Sequence, residues 1–155
     1  VEGSWTSKII KFDGKVLQAE KGKLVVMEPF STHLFSHDIS ELDSLLRKEV
    51  FIETTVELDG KSYTSLETLG STKDLNLQPT DVLMRVQRED SNTYSVILQA
   101  NTYVEGVWLE SETAGDFSNN LLTLTPGNVT EVLWNAHNDD NPEISIRYLN
   151  QLNRP

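Results

Sequence analysis

Residues 50–65 read VFIETTVELDGKSYTS. Val50, Ile52, Thr54, Val56 and Leu58 fall on one face and Glu53 and Glu57 on the other, the period of a half-buried antiparallel strand. Asp59-Gly60 then interrupts the alternation. A two-residue type I′ turn needs positive φ at both central positions, and Asp-Gly tolerates that. The stretch reads as strand, tight turn, strand, and the same signature recurs on both sides of it.

Upstream, IIKFDGKVLQ (residues 9–18) carries a second Asp-Gly pair, Asp13-Gly14, and predicts a second hairpin. Downstream, Tyr94, Val96, Leu98 and Ala100 alternate in TYSVILQA, and Ile144, Ile146 and Tyr148 in EISIRYL. One segment breaks the strand rule. HDISELDSLLRK (37–48) spaces Ile39, Leu42, Leu45 and Leu46 at helical intervals, with Asp38 and Glu41 placed as a capping box and Arg47 and Lys48 at the negative end of the dipole. It predicts one short helix of two to three turns, or a helical turn bridging two strands.

Residues 70–81, GSTKDLNLQPTD, have turn composition and little periodicity. Beyond them lie seven short strand-like runs: 82–88, 93–100, 103–110, 117–119, 121–125, 129–135 and 143–150. That density predicts an immunoglobulin-like β-sandwich. The expected organisation is all-β, two immunoglobulin-like sandwiches in tandem: 1–72, a linker over 73–81, and 82–155. The first is expected to be incomplete at its N-terminus, because SWTSKIIKF is a full strand with nothing ahead of it as an edge partner.

The 155 residues include 13 Lys+Arg against 24 Asp+Glu, a net charge of −11. Phosphate-tracking binding needs concentrated cations, so neither nucleic acid nor an anionic membrane is an expected partner. A neutral ligand such as a sugar stays compatible with the charge. No apolar run approaches the roughly 20 residues of a membrane span. The opening VEGSWTSKII has no signal-peptide pattern, but an excised fragment would look the same, and the compartment stays open. Without cysteine there is no disulfide or thiolate zinc site.

Several constellations invite chemistry. Glu105, Glu110, Glu112 and Asp116 cluster in YVEGVWLESETAGDF, with Glu110 and Glu112 about 7 Å apart by strand rise. Glycosidases do use carboxyl pairs, but this group reads as a solvated strand face and loop, and no catalytic residue is expected. His33 and His37 share a face beside Asp38, without a metal-binding motif. HNDDNPE (137–143) offers oxygen ligands but lacks the spacing and glycine of a calcium loop. No metal and no cofactor is expected. Asn128-Val129-Thr130 fits the glycosylation sequon. Among the aromatics, Trp108 and Tyr103 in NTYVEGVWLES are candidate sugar contacts. Val107 and Leu109 occupy one strand face, which leaves Trp108 on the other, exposed or covered by a neighbouring domain. Trp134 alternates with Val132 and is expected in the core.

The stretch NTYVEGVWLESETAGDFSNNLLTLTPGNVTEV (101–132) resembles the last domain of β-mannosidases of glycoside hydrolase family 2. The resemblance rests on Gly106, Val107, Leu109, Phe117, Ser118, Asn120, Leu124, Pro126 and Gly127. Upstream, FDGKVLQ, DISEL, VFIETTVELDGKSY and TKDLNLQPTDV look like the preceding immunoglobulin-like domain and its connection. Asn119, Leu122 and Asn128 depart from the family pattern, which there has Asp, an aromatic residue and Glu.

The resemblance implies an accessory, non-catalytic piece, with Phe117, Asn120, Pro126 and Gly127 forming a structural corner. By the same resemblance its partner is a (β/α)8 catalytic barrel of the same polypeptide, a fold of ~250 residues that no part of this chain could be. The parent would be a retaining enzyme releasing terminal β-mannosides, secreted, periplasmic or lysosomal. A carbohydrate-binding module and an adhesion or interaction pair of sandwiches are the alternatives.

Overall fold

The computed structural model describes residues 2–25, 36–138 and 141–153. The chain divides into two compact units, Val1–Lys11 with Lys15–Asn76, and Phe12–Gly14 with Leu77–Pro155. The all-β class expected from the strand periodicity is what the structure contains. Helical geometry among the described residues is confined to short 3-10 turns.

In the first unit, β1 (Glu2–Lys11), β2 (Val16–Val25), β3 (Val50–Leu58) and β4 (Lys61–Thr68) make one antiparallel sheet in the order β2-β1-β3-β4. The register sets Trp5, Ser7 and Ile9 beside Val56, Thr54 and Ile52, so the apolar face read from 50–58 is the face that β1 shares. The Trp5 indole lies across its β2 partner Gly22. A Cβ there would sit 2.8 Å from Nε1, so this crossing requires glycine. Among the described residues this unit contributes a single sheet rather than two layers.

The two Asp-Gly turns differ. Asp59 and Gly60 have φ of 51° and 71°, and Leu58 pairs with Lys61, as a two-residue type I′ turn demands. At the other hairpin only Gly14 is left-handed (φ 92°), the loop is Phe12–Gly14, and the register shifts between Ile9 and Ile10. The expected two-residue turn is lengthened because Phe12, 3% exposed, is committed to the second unit's interior, where its ring stacks on Tyr103 at 4.6 Å.

The helical segment resolves to its shorter alternative, a 3-10 turn at Leu46–Lys48. Asp38 turns its carboxylate onto Ser40 N rather than Glu41 N, so the capping box does not form. Asp43 takes the N–H groups of Leu45 and Leu46, which restarts the turn too late for a longer helix. Between the units' strands, Thr72–Asp74 forms another 3-10 turn, and Leu75 and Leu77 are buried.

The second unit is a two-layer sandwich. One sheet runs β5-β6-β10-β8 and the other β11-β7-β9. Their members are β5 (Leu83–Arg88), β6 (Thr93–Gln99), β7 (Val104–Ser111), β8 (Gly115–Phe117), β9 (Leu122–Leu124), β10 (Val129–Ala136) and β11 (Ile144–Arg147). Six of the seven runs read from the sequence contain a strand over most or part of their length, because alternating inward residues meet the opposite sheet. The short one expected near 117–119 lies earlier, at Gly115–Phe117, since Ser118 and Asn119 already belong to the corner. Val96, Leu98, Val132 and Trp134 from the first sheet pack with Val104, Val107, Leu109 and Leu124 from the second.

Candidate functional site

The polar run Phe117-Ser118-Asn119-Asn120 is where the chain leaves one sheet for the other. Phe117 pairs with Trp134 and packs against the core, while Ser118 extends that pairing by bonding Leu133 through its N–H (2.8 Å) and its Oγ (3.0 Å). Two residues later Asn120 belongs to the opposite sheet. Its Oδ1 accepts from Leu109 N and its Nδ2 donates to Leu109 O, both at 2.8 Å. The carboxamide thus imitates a strand backbone alongside β7, and β9 begins at once.

Leu121 N also donates to Asn120 Oδ1, at 2.9 Å, while Leu121 adopts φ 57°. Left-handed backbone costs a leucine about 1–2 kcal/mol. The Asn120 bonds hold that conformation in place. Pro126 and Gly127 then occupy the central positions of a turn closed by Asn128 N to Thr125 O (3.2 Å). Gly127, at φ 74°, supplies the left-handed third residue. Among these four residues the bonds run to backbone groups of the sandwich itself.

The two aromatic candidates part company. Trp108 is 45% exposed on the outer face of β7, between the buried Val107 and Leu109. Tyr103 is 3% exposed, and one ring face is covered by Phe12. As a sugar contact Tyr103 is corrected to a core residue: its position just ahead of β7 turns the ring inward.

Burial foremost, then the hydrogen bond to the Glu105 carboxylate and its negative charge, hold the Tyr103 phenol well above its ordinary pKa of 10.0. The neutral form is therefore favoured in the folded state, which retains its proton where the unfolded chain has lost it. The stability this contributes is complete below pH 10 and drains as pH rises above it. An alkaline melt should show the second unit losing stability more steeply above pH 10 in the natural protein than in Tyr103→Phe. Parallel curves would remove the assignment.

The acidic cluster disperses. Glu110 pairs with Arg147 at 3.0 Å, Asp116 with His137 at 2.7 Å, and Glu105 accepts from Tyr103. Glu105, Glu110 and Asp116 thus each have a separate partner. His33, Asp139 and Asp140 lie outside the described residues.

A different group forms on the first unit's sheet. His37 Nε2 lies 2.7 Å from Ser7 Oγ, which is 2.9 Å from Thr54 Oγ1, and Glu20 Oε1 is 3.7 Å from His37 Nδ1. Serine, histidine and carboxylate in that order invite comparison with a nucleophile set. A cleft of about 450 Å³ opens beside them, lined by His37, Ile39, Ile52, Thr54, Ser65 and Glu67 among others. Ser7, however, is fully buried on a central strand paired on both edges, so its Oγ is out of reach of a substrate and the neighbouring N–H groups are engaged in the ladder. The group acts as a polar clasp between the segment at His37 and the sheet. Its one signal in the sequence is a serine on the apolar face between Trp5 and Ile9.

Asn150 is a second residue that the sequence left unmarked. Wholly buried, it receives Glu105 N at 3.1 Å and donates to Gln78 O and Tyr103 O at 2.8 and 3.0 Å. It ties the 3-10 turn at Leu149–Asn153 to the segment ahead of β5 and to the start of β7.

Two packed sheets with a polar corner between β8 and β9 define the second unit as an immunoglobulin-like sandwich. Residues 77–151 match the family model described as Ig_mannosidase, Ig-fold domain, and this unit is an immunoglobulin-fold domain of that β-mannosidase type. Among solved structures, the chain is similar to the β-D-mannosidase of Dictyoglomus thermophilum at 14% identity with a TM-score of 0.75. That likeness covers 95% of this chain and 18% of the enzyme's, so the chain spans less than a fifth of the enzyme's length. No curated protein matches.

Proposed function

We propose that this chain is a non-catalytic accessory part of a β-mannosidase-like glycoside hydrolase, supporting a (β/α)8 barrel carried elsewhere in the same polypeptide. The observation that carries the reading is the match of residues 77–151 to the Ig-fold domain of that enzyme type, in a chain whose acidic side chains are dispersed. A retaining glycosidase needs two carboxyls about 5–5.5 Å apart across the scissile bond, in a site that encloses the sugar. Glu105, Glu110 and Asp116 are instead bonded to three different neighbours, Tyr103, Arg147 and His137. Such bonds hold side chains in place, and on this reading the work of the chain lies in its two folded units.

The parent enzyme on this reading removes terminal β-linked mannose, and its nucleophile and acid belong to the barrel. Incubation of the purified chain with an aryl β-mannoside should release no phenol above the buffer rate. Turnover at an enzyme-like rate, from about 1 s⁻¹ upward, would overturn the accessory role. In the parent polypeptide, deleting residues 1–155 should lower the thermal stability of the hydrolase without changing the pH profile of whatever activity survives.

A further inference from the structure

We infer that the outer face of the β11-β7-β9 sheet carries a binding subsite for a neutral hexopyranose, with Trp108 as its platform. Three tryptophans are present. Trp5 and Trp134 are buried, at 8% and 0% exposure, while Trp108 keeps 45% of its surface in contact with solvent. An indole left this open forfeits burial that would otherwise stabilise the fold, since an aromatic side chain buries 150–250 Å² in a core. The strand forces it outward, because Val107 and Leu109 on either side fill the core.

The surroundings of the ring narrow the ligand. Arg147 is the direct cross-strand partner of Trp108, and Glu110 stands two residues along the same strand opposite Ser145. Glu110 and Arg147 are joined at 3.0 Å with both side chains still substantially open, 38% and 74% exposed. Next to Trp108 on this sheet there are therefore a carboxylate that only accepts hydrogen bonds and a guanidinium that only donates them.

A pyranose ring has one face of C–H groups and a rim of hydroxyls, each of which donates and accepts. Its apolar face suits the indole, and neighbouring hydroxyls can bond the carboxylate and the guanidinium together without disturbing their pairing. The pair is neutral as a unit, which offers no net attraction to a charged ligand, and a net charge of −11 disfavours anionic glycans. A purely apolar partner is disfavoured too, because it would strip water from two charges without replacing their hydrogen bonds. Neutral sugar is the chemistry that satisfies all three side chains. This inference does not depend on the accessory reading: a chain that hydrolyses nothing can still hold a sugar, and failure of either leaves the other standing.

Because Trp108 is the exposed one of the three indoles, its emission reports the site directly. The intact chain should be titrated with mannohexaose, cellohexaose and, as a charged control, a galacturonate hexamer. The expected result is a saturable emission change with at least one of the neutral hexaoses, accompanied by protection from acrylamide quenching. The galacturonate should give none. Affinity should be modest, with Kd about 0.1–10 mM, as befits one platform. Trp108→Ala should weaken binding, followed by calorimetry, at least about tenfold, and Trp108→Tyr should retain most of it. Glu110→Gln and Arg147→Gln should each weaken it about three- to tenfold with an unchanged thermal melt.

No saturable signal from either neutral hexaose up to tens of millimolar overturns the inference, as does binding that survives Trp108→Ala undiminished. Emission that shifts with protein concentration in the absence of sugar would identify the face as a protein contact and overturn it as well.

Discussion

Asn150→Ala is expected to destabilise the second unit by about 3–5 kcal/mol. The carboxamide is fully buried and serves three backbone groups, Glu105 N, Gln78 O and Tyr103 O. A buried donor or acceptor left unpaired costs about 1–3 kcal/mol, and partial entry of water into the vacated space brings the sum down from its simple total. For a unit of this size such a loss lowers the melting temperature on the order of 15 °C. Urea denaturation followed by the burial-sensitive emission of Trp134 measures it. Asn150→Asp is the sharper variant, because it keeps the shape but turns acceptors toward two carbonyls, and it should be at least as damaging as alanine. A loss below about 1 kcal/mol for either variant would mean that the clamp carries no stability.

The second large effect is expected at Gly115. A Cβ there would lie 2.5 Å from Cε2 and Cζ2 of Trp134 and 2.6 Å from the carbonyl oxygen of Asn135. Neither neighbour can yield. The Trp134 ring is fully buried in the sandwich core, and Asn135 is part of the ladder that pairs it with Asp116. Gly115→Ala should therefore cost toward the upper end of the overpacking range, about 3 kcal/mol. The steric origin is separable from any general intolerance of β8. In a Trp134→Leu background, itself destabilised by several kcal/mol, the ring is gone and the added methyl has room. The double-mutant cycle should then return a coupling of about 1 kcal/mol or more. Strict additivity would dispose of the clash as the reason for the glycine.

These two positions differ in how much of them could be read beforehand. Gly115 sits in a turn-like ETAGDF and looks like any loop glycine, and its need arises only because Trp134, some twenty residues later, lies across it. Asn150 is one polar residue in an otherwise apolar YLNQL, and its three partners come from segments far apart along the chain. Asn120 was more legible, since its place between an aromatic anchor and an alternating run marks a corner. Even so, the choice of Leu109 as partner depends on β7 lying in the opposite sheet. The histidine of the Ser7 clasp is thirty residues from its serine, and only the fold brings the two within 2.7 Å.

The sequence by itself determined the strands of the second unit other than β8, the apolar face of β3, the type I′ turn at Asp59-Gly60 and the likeness to a β-mannosidase domain. Side-chain alternation and turn chemistry are local, and they are written in consecutive residues. The tertiary structure alone decided that Phe12 belongs to the second unit's interior and that Tyr103 is buried while Trp108 is not. Each of these depends on which surface arrives opposite a residue. Burial and hydrogen-bond partnership across a sandwich are properties of two sheets, and no single strand's pattern contains them.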